Sequence, residues 1–404
     1  MVQKTLSFNN YTASSIFLCV NLVAFVVFIF SNKIYHILGG NLGPIDYGLV
    51  NISSYFIYFF ILFFTYFLLS LSGRPITSSD CVINFPYTLH LILLGVEFLF
   101  TTYVTGGASS TEHARELYAF RTENLGHIKI LTLFLYMTTM ILGAKLALSN
   151  FRDFKVLILV AFTILLFLFK DFVVGSRGSA INVITFLVAG FTFFKPFKVK
   201  NIFKFQYVLI SAGILFAIFI LTFRRAAGSG LAAVTDSLLY KFSVNVYIPL
   251  AYLSEDIDVR ILSNGIYTNW SSLRDLPYTD EFLSKAHLFN SLPDFINTYI
   301  TNFFDYEAGS VYFSVFGESP WNSVNYMLRF LALDMVGIFF LSIVILIYIF
   351  LSRLSISLNF FVHCSLVYFS VLSFTGFSLI EIPFVLVVVF APFFGFVFRR
   401  HVNA

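Results

Sequence analysis

Apolar runs of about twenty residues recur ten times along this chain, and that repetition constrains its fold more than any other feature. A helix needs about 20 apolar residues to cross the hydrocarbon core of a bilayer. The runs lie at roughly 13–32, 50–71, 84–104, 129–149, 155–174, 179–194, 205–223, 329–351, 355–375 and 378–398. The sixth is short and is expected to begin inside the membrane rather than at its surface. In lipid a backbone must satisfy its own polar groups, so such runs fold as helices. The expected class is all-α: a polytopic transmembrane bundle with about ten spans (ten to twelve) and one large outer loop containing interfacial helices. Composition agrees, since 58% of the residues are hydrophobic and only 11% charged. A soluble domain carries roughly a quarter charged residues. Fifty-five Phe among 404 residues exceed what one soluble core can hide, but lipid tails accept them readily.

Lys and Arg in the short loops set the orientation. Lys195, Lys198, Lys200 and Lys204 crowd the connection between the sixth and seventh runs and place it on the cytoplasmic side. Alternation then puts Lys4, Arg74, Lys145, Arg152, Lys155, Arg353, Arg399 and Arg400 inside as well. Inside segments hold twelve cations, whereas the short outside loops and span edges hold six: Lys33, Arg115, Arg121, Lys129, Lys170 and Arg177. Ten crossings leave both termini cytoplasmic. The first run is expected to stay as a helix, because it is long, lacks a small-residue cleavage site and is followed by more spans. Cys19, Cys81 and Cys364 show neither zinc spacing nor a disulfide framework.

Three regions follow: a membrane bundle of about seven spans over 1–223, a large outer loop over 224–325, and a bundle of about three spans over 326–404. A connection of a hundred residues is far longer than the usual 2–8 between packed helices, which directs the search for function to the outer face. The loop carries both tryptophans, Trp270 and Trp321, and eleven of the 21 acidic residues against six Lys and Arg. Within it, 231–253 is apolar but broken by Asp236, Lys241, Asn245 and Pro249. It reads as an amphipathic helix at the outer interface. A single additional span there would place the two chain ends on opposite sides.

Four stretches carry candidate chemistry. GSRGSA, Gly175 to Ala180, is a short outer turn that opens the sixth run. Free N–H groups at a helix start, with the Arg177 guanidinium and the small Gly178 beside it, suit a phosphate or diphosphate. The competing role is an arginine that snorkels to lipid headgroups. Arg224 and Arg225 lie where the seventh run leaves the membrane, on the side the positive-inside rule disfavours, and they point to the same anionic ligand. DYEAGSVYFSVFGESPWN, Asp305 to Asn322, alternates aromatic rings with Glu307 and Glu318. Rings such as Trp321 stack on sugar faces, and a carboxylate can take a proton from an acceptor hydroxyl. An interfacial aromatic belt would have a similar composition. In 112–127, His113 is a possible proton acceptor, although charges three and four apart also fit a solvated helix face. Glu97, mid-span, and Glu381, near the outer end of the last run, are costly in lipid and face either a cavity or a polar partner.

The chain has no P-loop and no dinucleotide fingerprint, and no cytoplasmic loop is long enough for a soluble catalytic domain. Chemistry here needs a donor already outside the membrane.

At the SRG turn (Ser176 to Gly178), the arginines at the entry of the large loop, and the stretch from Glu307 to Glu318, the chain resembles the Wzy-type O-antigen polymerases. The plan covers nearly the whole chain, although that family usually shows more than ten spans. The resemblance implies joining of undecaprenyl-diphosphate-linked oligosaccharide repeat units on the outer side of a bacterial cytoplasmic membrane. Arg177, Arg224 and Arg225 would stabilise the leaving diphosphate. Glu307 or Glu318, ahead of His113, would accept the acceptor's proton. It implies no cofactor, no metal and no nucleic acid. Its partners would be the lipid-linked oligosaccharide, membrane lipids, a chain-length regulator and a flippase. An O-antigen ligase shares the donor and the outer arginines. A transporter would line many spans with polar groups. A membrane acyltransferase would need a buried histidine, for which only His90 and His363 lie within spans.

Overall fold

The computed structural model describes residues 12–38, 51–71, 81–106, 113–114, 117–118, 126–174, 178–196, 246, 250, 334–373 and 387–400. Side chains at the margins of several elements (31–38, 81, 126–130, 334–340 and 399–400) lie outside the description. The described chain is mostly helical. Eight α-helices run over Thr12–Leu38 (α1), Ile52–Ser70 (α2), Tyr87–Thr105 (α3), Gly126–Ser149 (α4), Phe154–Val174 (α5), Gly178–Phe194 (α6), Asp334–Ser352 (α7) and Ile356–Leu372 (α8). Five of them, α1 to α5, are long and apolar enough to cross a membrane. The others are apolar as well.

Why these segments are helices follows from both their faces. On α2, Tyr58, Ile61, Leu62 and Leu69 are buried, while Phe56, Phe60, Phe63 and Phe67 stand exposed on the opposite side. On α5, Leu159, Leu166 and Phe167 are buried, while Phe154, Ile158, Phe162, Leu165 and Phe169 face outward. A soluble helix shows a polar outer face. Here both faces are apolar, and so broad an exposed apolar surface is stable only against lipid tails.

Helix directions can be read from paired contacts. His90 and Glu97 of α3 meet Thr163 and Lys170 of α5, so α3 and α5 are parallel. The same two residues meet Thr138 and Thr132 of α4, which therefore runs the other way. Tyr136 with Phe186, and Phe151 with Phe191, make α6 parallel to α4. Asn182 with Tyr368, and Thr192 with His363, make α8 antiparallel to α6. Phe17 stacks on Phe369 and Asn21 donates to Ser373, so α1 is parallel to α8. These are the relative directions that alternate crossings assign to the corresponding apolar runs.

The tightest contact joins α4 to α6. A Cβ built on Gly143 would overlap the backbone of Leu187, and one on Gly190 would overlap the Met140 carbonyl oxygen. Apolar side chains gain nothing from leaving lipid tails for one another, so membrane helices associate through close backbone packing at small residues. Buried Ala144 and Ala189 adjoin the glycines in sequence, and buried Ala147 follows one turn after Gly143.

One end of the bundle holds structure that an all-helical reading leaves out. Residues Cys81–Ile83 (β1) pair antiparallel with Phe398–Arg400 (β2), Val82 opposite Arg399. Asn84 N–H donates to Val397 O at 3.0 Å, extending the ladder. Lys145, at the end of α4, donates to Ile83 O at 3.2 Å. The last apolar run therefore does not stay α-helical throughout. A helical turn at 387–390 tightens into a 3-10 helix, Ala391–Val397, with Pro392 at its start, and then becomes β2. The α4–α5 turn lies at this end too. Asn150 (φ 54°) and Phe151 (φ 63°) take the left-handed conformation, and Asp153 then caps α5 by accepting from Lys155 N and Val156 N. Replacing Lys145 by methionine is expected to destabilise this end by roughly 1 kcal/mol. A lower thermal unfolding midpoint in detergent would show it, and an unchanged midpoint would leave the bond without weight.

Val246 and Leu250, the described residues of the 231–253 segment, are helical and fully buried in the core. At these two positions the side chains pack on protein.

Candidate functional site

A cluster of buried polar side chains lies where α3, α4 and α5 meet. Two layers form there, about two turns apart. In the first, nearer the β1–β2 end, His90 Nδ1 lies 2.8 Å from Thr138 Oγ1 and its Nε2 3.1 Å from Thr163 Oγ1. Each threonine hydroxyl also reaches a backbone carbonyl of its own helix, Leu135 O at 3.0 Å and Leu159 O at 2.7 Å. Each hydroxyl has one proton, and a neutral imidazole has one donor and one acceptor. The arrangement closes for a neutral ring when Nε2–H donates to Thr163, which keeps its shorter backbone bond, and Thr138 turns its proton to Nδ1.

The second layer holds the ion pair of Glu97 and Lys170, 2.5 Å apart with both side chains buried. Thr132 Oγ1 donates to the other Glu97 oxygen at 2.8 Å. The rings of Tyr118 and Phe167 approach the ammonium to 5.3 and 5.7 Å from their centroids. Charges isolated among apolar helices are expensive, and pairing with added hydrogen bonds is what makes them tolerable. Thr101, one turn beyond Glu97, is buried, and its hydroxyl finds no hydrogen-bond partner among the described residues.

Lys170, one of the cations at the outer span edges, is 5% exposed and turns into the bundle. Its partner also answers the question left open for Glu97, which meets a polar partner from another helix.

Next to Lys170, Asp171 fastens α5 to α6. Its Oδ2 accepts from Ala180 N at 2.8 Å and its Oδ1 from Ser179 N at 3.3 Å. An anion in the last turn of α5 opposes that helix's dipole. At the first turn of α6 it is favoured by the dipole and by N–H groups that lack intrahelical partners. The sequence offers those amides to a phosphate, whereas a buried carboxylate takes two of them. Two of the amides that an anion could use at this turn are therefore already taken.

Of the residues given catalytic or substrate-binding roles from sequence, the structure describes two. Gly178 is the first residue of α6, and a Cβ there would meet open space. His113 is helical and half-buried, close in sequence to buried Ala114 and to Tyr118, which covers Lys170. Arg177, Arg224, Arg225, Glu307, Glu318 and Trp321 lie outside the described residues, as does Glu381. Among the described residues no three His, Cys, Asp or Glu side chains gather closely enough to hold a metal ion. Sequence reasoning missed Asp171 and Thr132. The available signal for Asp171 was a carboxylate closing an apolar run four residues before the Gly-rich turn, within reach of the free N–H groups of the next helix.

Five of the described cations share one end of the bundle, whereas Lys33 and Lys129 belong to the far ends of α1 and α4. Lys145 bonds to β1, Arg152 and Lys155 flank the α4–α5 turn, Lys195 lies over Phe151 of that turn, and Arg353 sits in the α7–α8 turn. Val174 and Gly178, which bracket the SRG turn, lie at the opposite end, beyond the Glu97–Lys170 pair. No family model matches the chain, and no curated protein or solved structure matches it either.

Proposed function

We propose that this chain is a membrane glycosyltransferase that polymerises undecaprenyl-diphosphate-linked oligosaccharide repeat units on the outer side of a bacterial cytoplasmic membrane. The observation that carries the reading is a charge asymmetry with an exception. Lys145, Arg152, Lys155, Lys195 and Arg353 collect at the β1–β2 end, which the positive-inside rule makes cytoplasmic. Arg177 belongs to a turn bracketed at the opposite end, and Arg224 and Arg225 end a run whose other flank is the lysine-rich connection. Arginines read onto the disfavoured side, in a chain whose long loop is acidic and aromatic, fit a phosphate-bearing sugar lipid better than they fit a bare surface. Ten crossings, cytoplasmic termini and an outer 224–325 loop complete the proposal.

In the reaction, a hydroxyl oxygen of the incoming repeat unit attacks the anomeric carbon of the growing chain. The new C–O bond forms as the bond from that carbon to the diphosphate oxygen breaks. Undecaprenyl diphosphate leaves with the electron pair, and the hydroxyl proton passes to Glu307, Glu318 or His113. Arg177, Arg224 and Arg225 offset the charge that grows on the diphosphate, which is worth most in a site shielded from water.

Purified protein given lipid-linked repeat units should produce a ladder spaced by one repeat. Arg177→Ala is expected to slow that reaction about 100-fold or more. Wild-type rates in that variant would remove the electrostatic role. Transfer of a finished glycan to a lipopolysaccharide core acceptor, with no ladder, would identify a ligase instead.

A further inference from the structure

From the arrangement at the α4–α5 turn we infer that Arg152, Lys155 and Lys195 form a headgroup site for an anionic phospholipid, with Phe151 and Phe154 set against its acyl chains. The inference stands apart from the reaction proposed above, since it needs only that these helices lie in a membrane. Lys195 follows the last residue of α6, and its amide still donates to Phe191 O at 3.1 Å. Its ammonium lies 5.8 Å from the centre of the Phe151 ring and 5.7 Å from that of Phe191. A cation from α6 is thus held at the turn that carries Arg152 and leads into Lys155. Arg152 and Lys155 are exposed, and so are Phe154 (72%) and Phe151 (42%). Cations beside exposed aromatic rings, at the end of apolar helices, match a phosphate at the membrane surface with acyl chains beneath it.

Two observations separate this turn from an ordinary charged surface. The first is that its three cations meet a single acid that is already engaged. Asp153 caps α5 by accepting from Lys155 N and Val156 N. Among the described residues no carboxylate forms an ion pair with Arg152, Lys155 or Lys195. The second is backbone strain. Phe151 holds φ 63°, where a bulky side chain is an outlier. Such a conformation persists only where its surroundings fix it. Here the ring is fixed between Phe191, 5.6 Å away, and the Lys195 ammonium. The strained turn therefore sets an aromatic platform against a cation. Rings hold an ammonium without neutralising it, so its charge stays available to a phosphate. An anion free in solution would meet the cations alone and would gain nothing from exposed Phe154.

The test takes the full-length protein in detergent, stripped of lipid, and titrates it with phosphatidylglycerol or phosphatidylcholine, reading bound lipid by native mass spectrometry. Phosphatidylglycerol should bind about tenfold or more tightly than phosphatidylcholine. Arg152→Gln, Lys155→Gln and Lys195→Gln should each weaken phosphatidylglycerol binding about fivefold, and the triple variant about a hundredfold, at one such step per surface cation. Arg353→Gln removes an exposed cation from the α7–α8 turn at the same end of the bundle, and should change binding by less than about twofold. Phe151→Gly relieves the backbone and removes the platform, so it should weaken lipid binding without lowering the thermal unfolding midpoint. Wild-type binding in the triple variant or in Phe151→Gly would overturn the site. So would equal binding of the two lipids, or a loss in Arg353→Gln as large as that in Arg152→Gln. Displacement of phosphatidylglycerol by millimolar inorganic phosphate would overturn it in favour of a soluble anion. If Lys195→Gln does not fold, the Arg152→Gln, Lys155→Gln double variant is judged by the same outcomes, with a loss of about 25-fold expected.

Discussion

Leucine at position 190 is expected to leave little or no folded protein in the membrane. Gly190 of α6 lies against the carbonyl of Met140 on α4, and Gly143 of α4 lies against the carbonyl of Leu187 on α6. At both places the neighbour is backbone, so it cannot rotate away as a flexible side chain would. Ordinary overpacking costs roughly 1–3 kcal/mol, and a backbone clash between two helices exceeds that because one helix must move as a unit. Moving α6 would also pull Ser179 and Ala180 from Asp171 and separate Phe186 from Tyr136. Alanine at 190 should show the same defect more mildly, since even its Cβ overlaps the carbonyl. The measurement is the monodisperse fraction after detergent extraction, followed by thermal unfolding of whatever survives. A Gly190→Leu protein that extracts and melts like wild type would mean that α4 and α6 do not meet at these glycines.

Methionine at position 170 should cost about 3–5 kcal/mol, the range seen when one partner of a buried ion pair is removed. The loss does not measure what the pair contributes. It measures the Glu97 carboxylate left among apolar helices, with the Thr132 hydroxyl as its remaining partner from the described pair of bonds. Glu97→Gln should be damaging for the complementary reason, an ammonium stranded between Tyr118, Phe167 and a neutral amide. The double variant, Glu97→Gln with Lys170→Met, is expected to be more stable than Lys170→Met alone. Thermal unfolding of the four proteins supplies the coupling energy directly. Small effects that simply add would show that the two side chains do not share a buried site.

Much of the helical frame can be read from hydropathy. The run at 50–71 contains Ile52–Ser70, the run at 155–174 corresponds to Phe154–Val174, and the short sixth run at 179–194 is Gly178–Phe194. Those matches reflect a free energy that accumulates residue by residue along a segment, so a window of twenty suffices to sense it. The β1–β2 ribbon gave no such signal. Three residues are too few to show a period of two, and Cys81–Ile83 finds its partner at the far end of the chain. The candidate site divides in the same way. The SRG turn stands out as a Gly-rich break with a cation, whereas the carboxylate that holds its far side sits unnoticed in the last turn of an apolar helix.

Sequence alone determined that this chain makes apolar helices, roughly where each begins and ends, and which turns collect cations, because these depend on the local sum of side-chain transfer energies and on counting charges between segments. Tertiary structure alone decided the fate of Lys170 and Glu97. A charge near a span end can turn outward to water or inward to a partner, and the choice depends on whether an opposite charge from a helix 73 positions away arrives at the same depth. The same holds for Asp171, whose acceptors are filled only once α6 has folded back against α5.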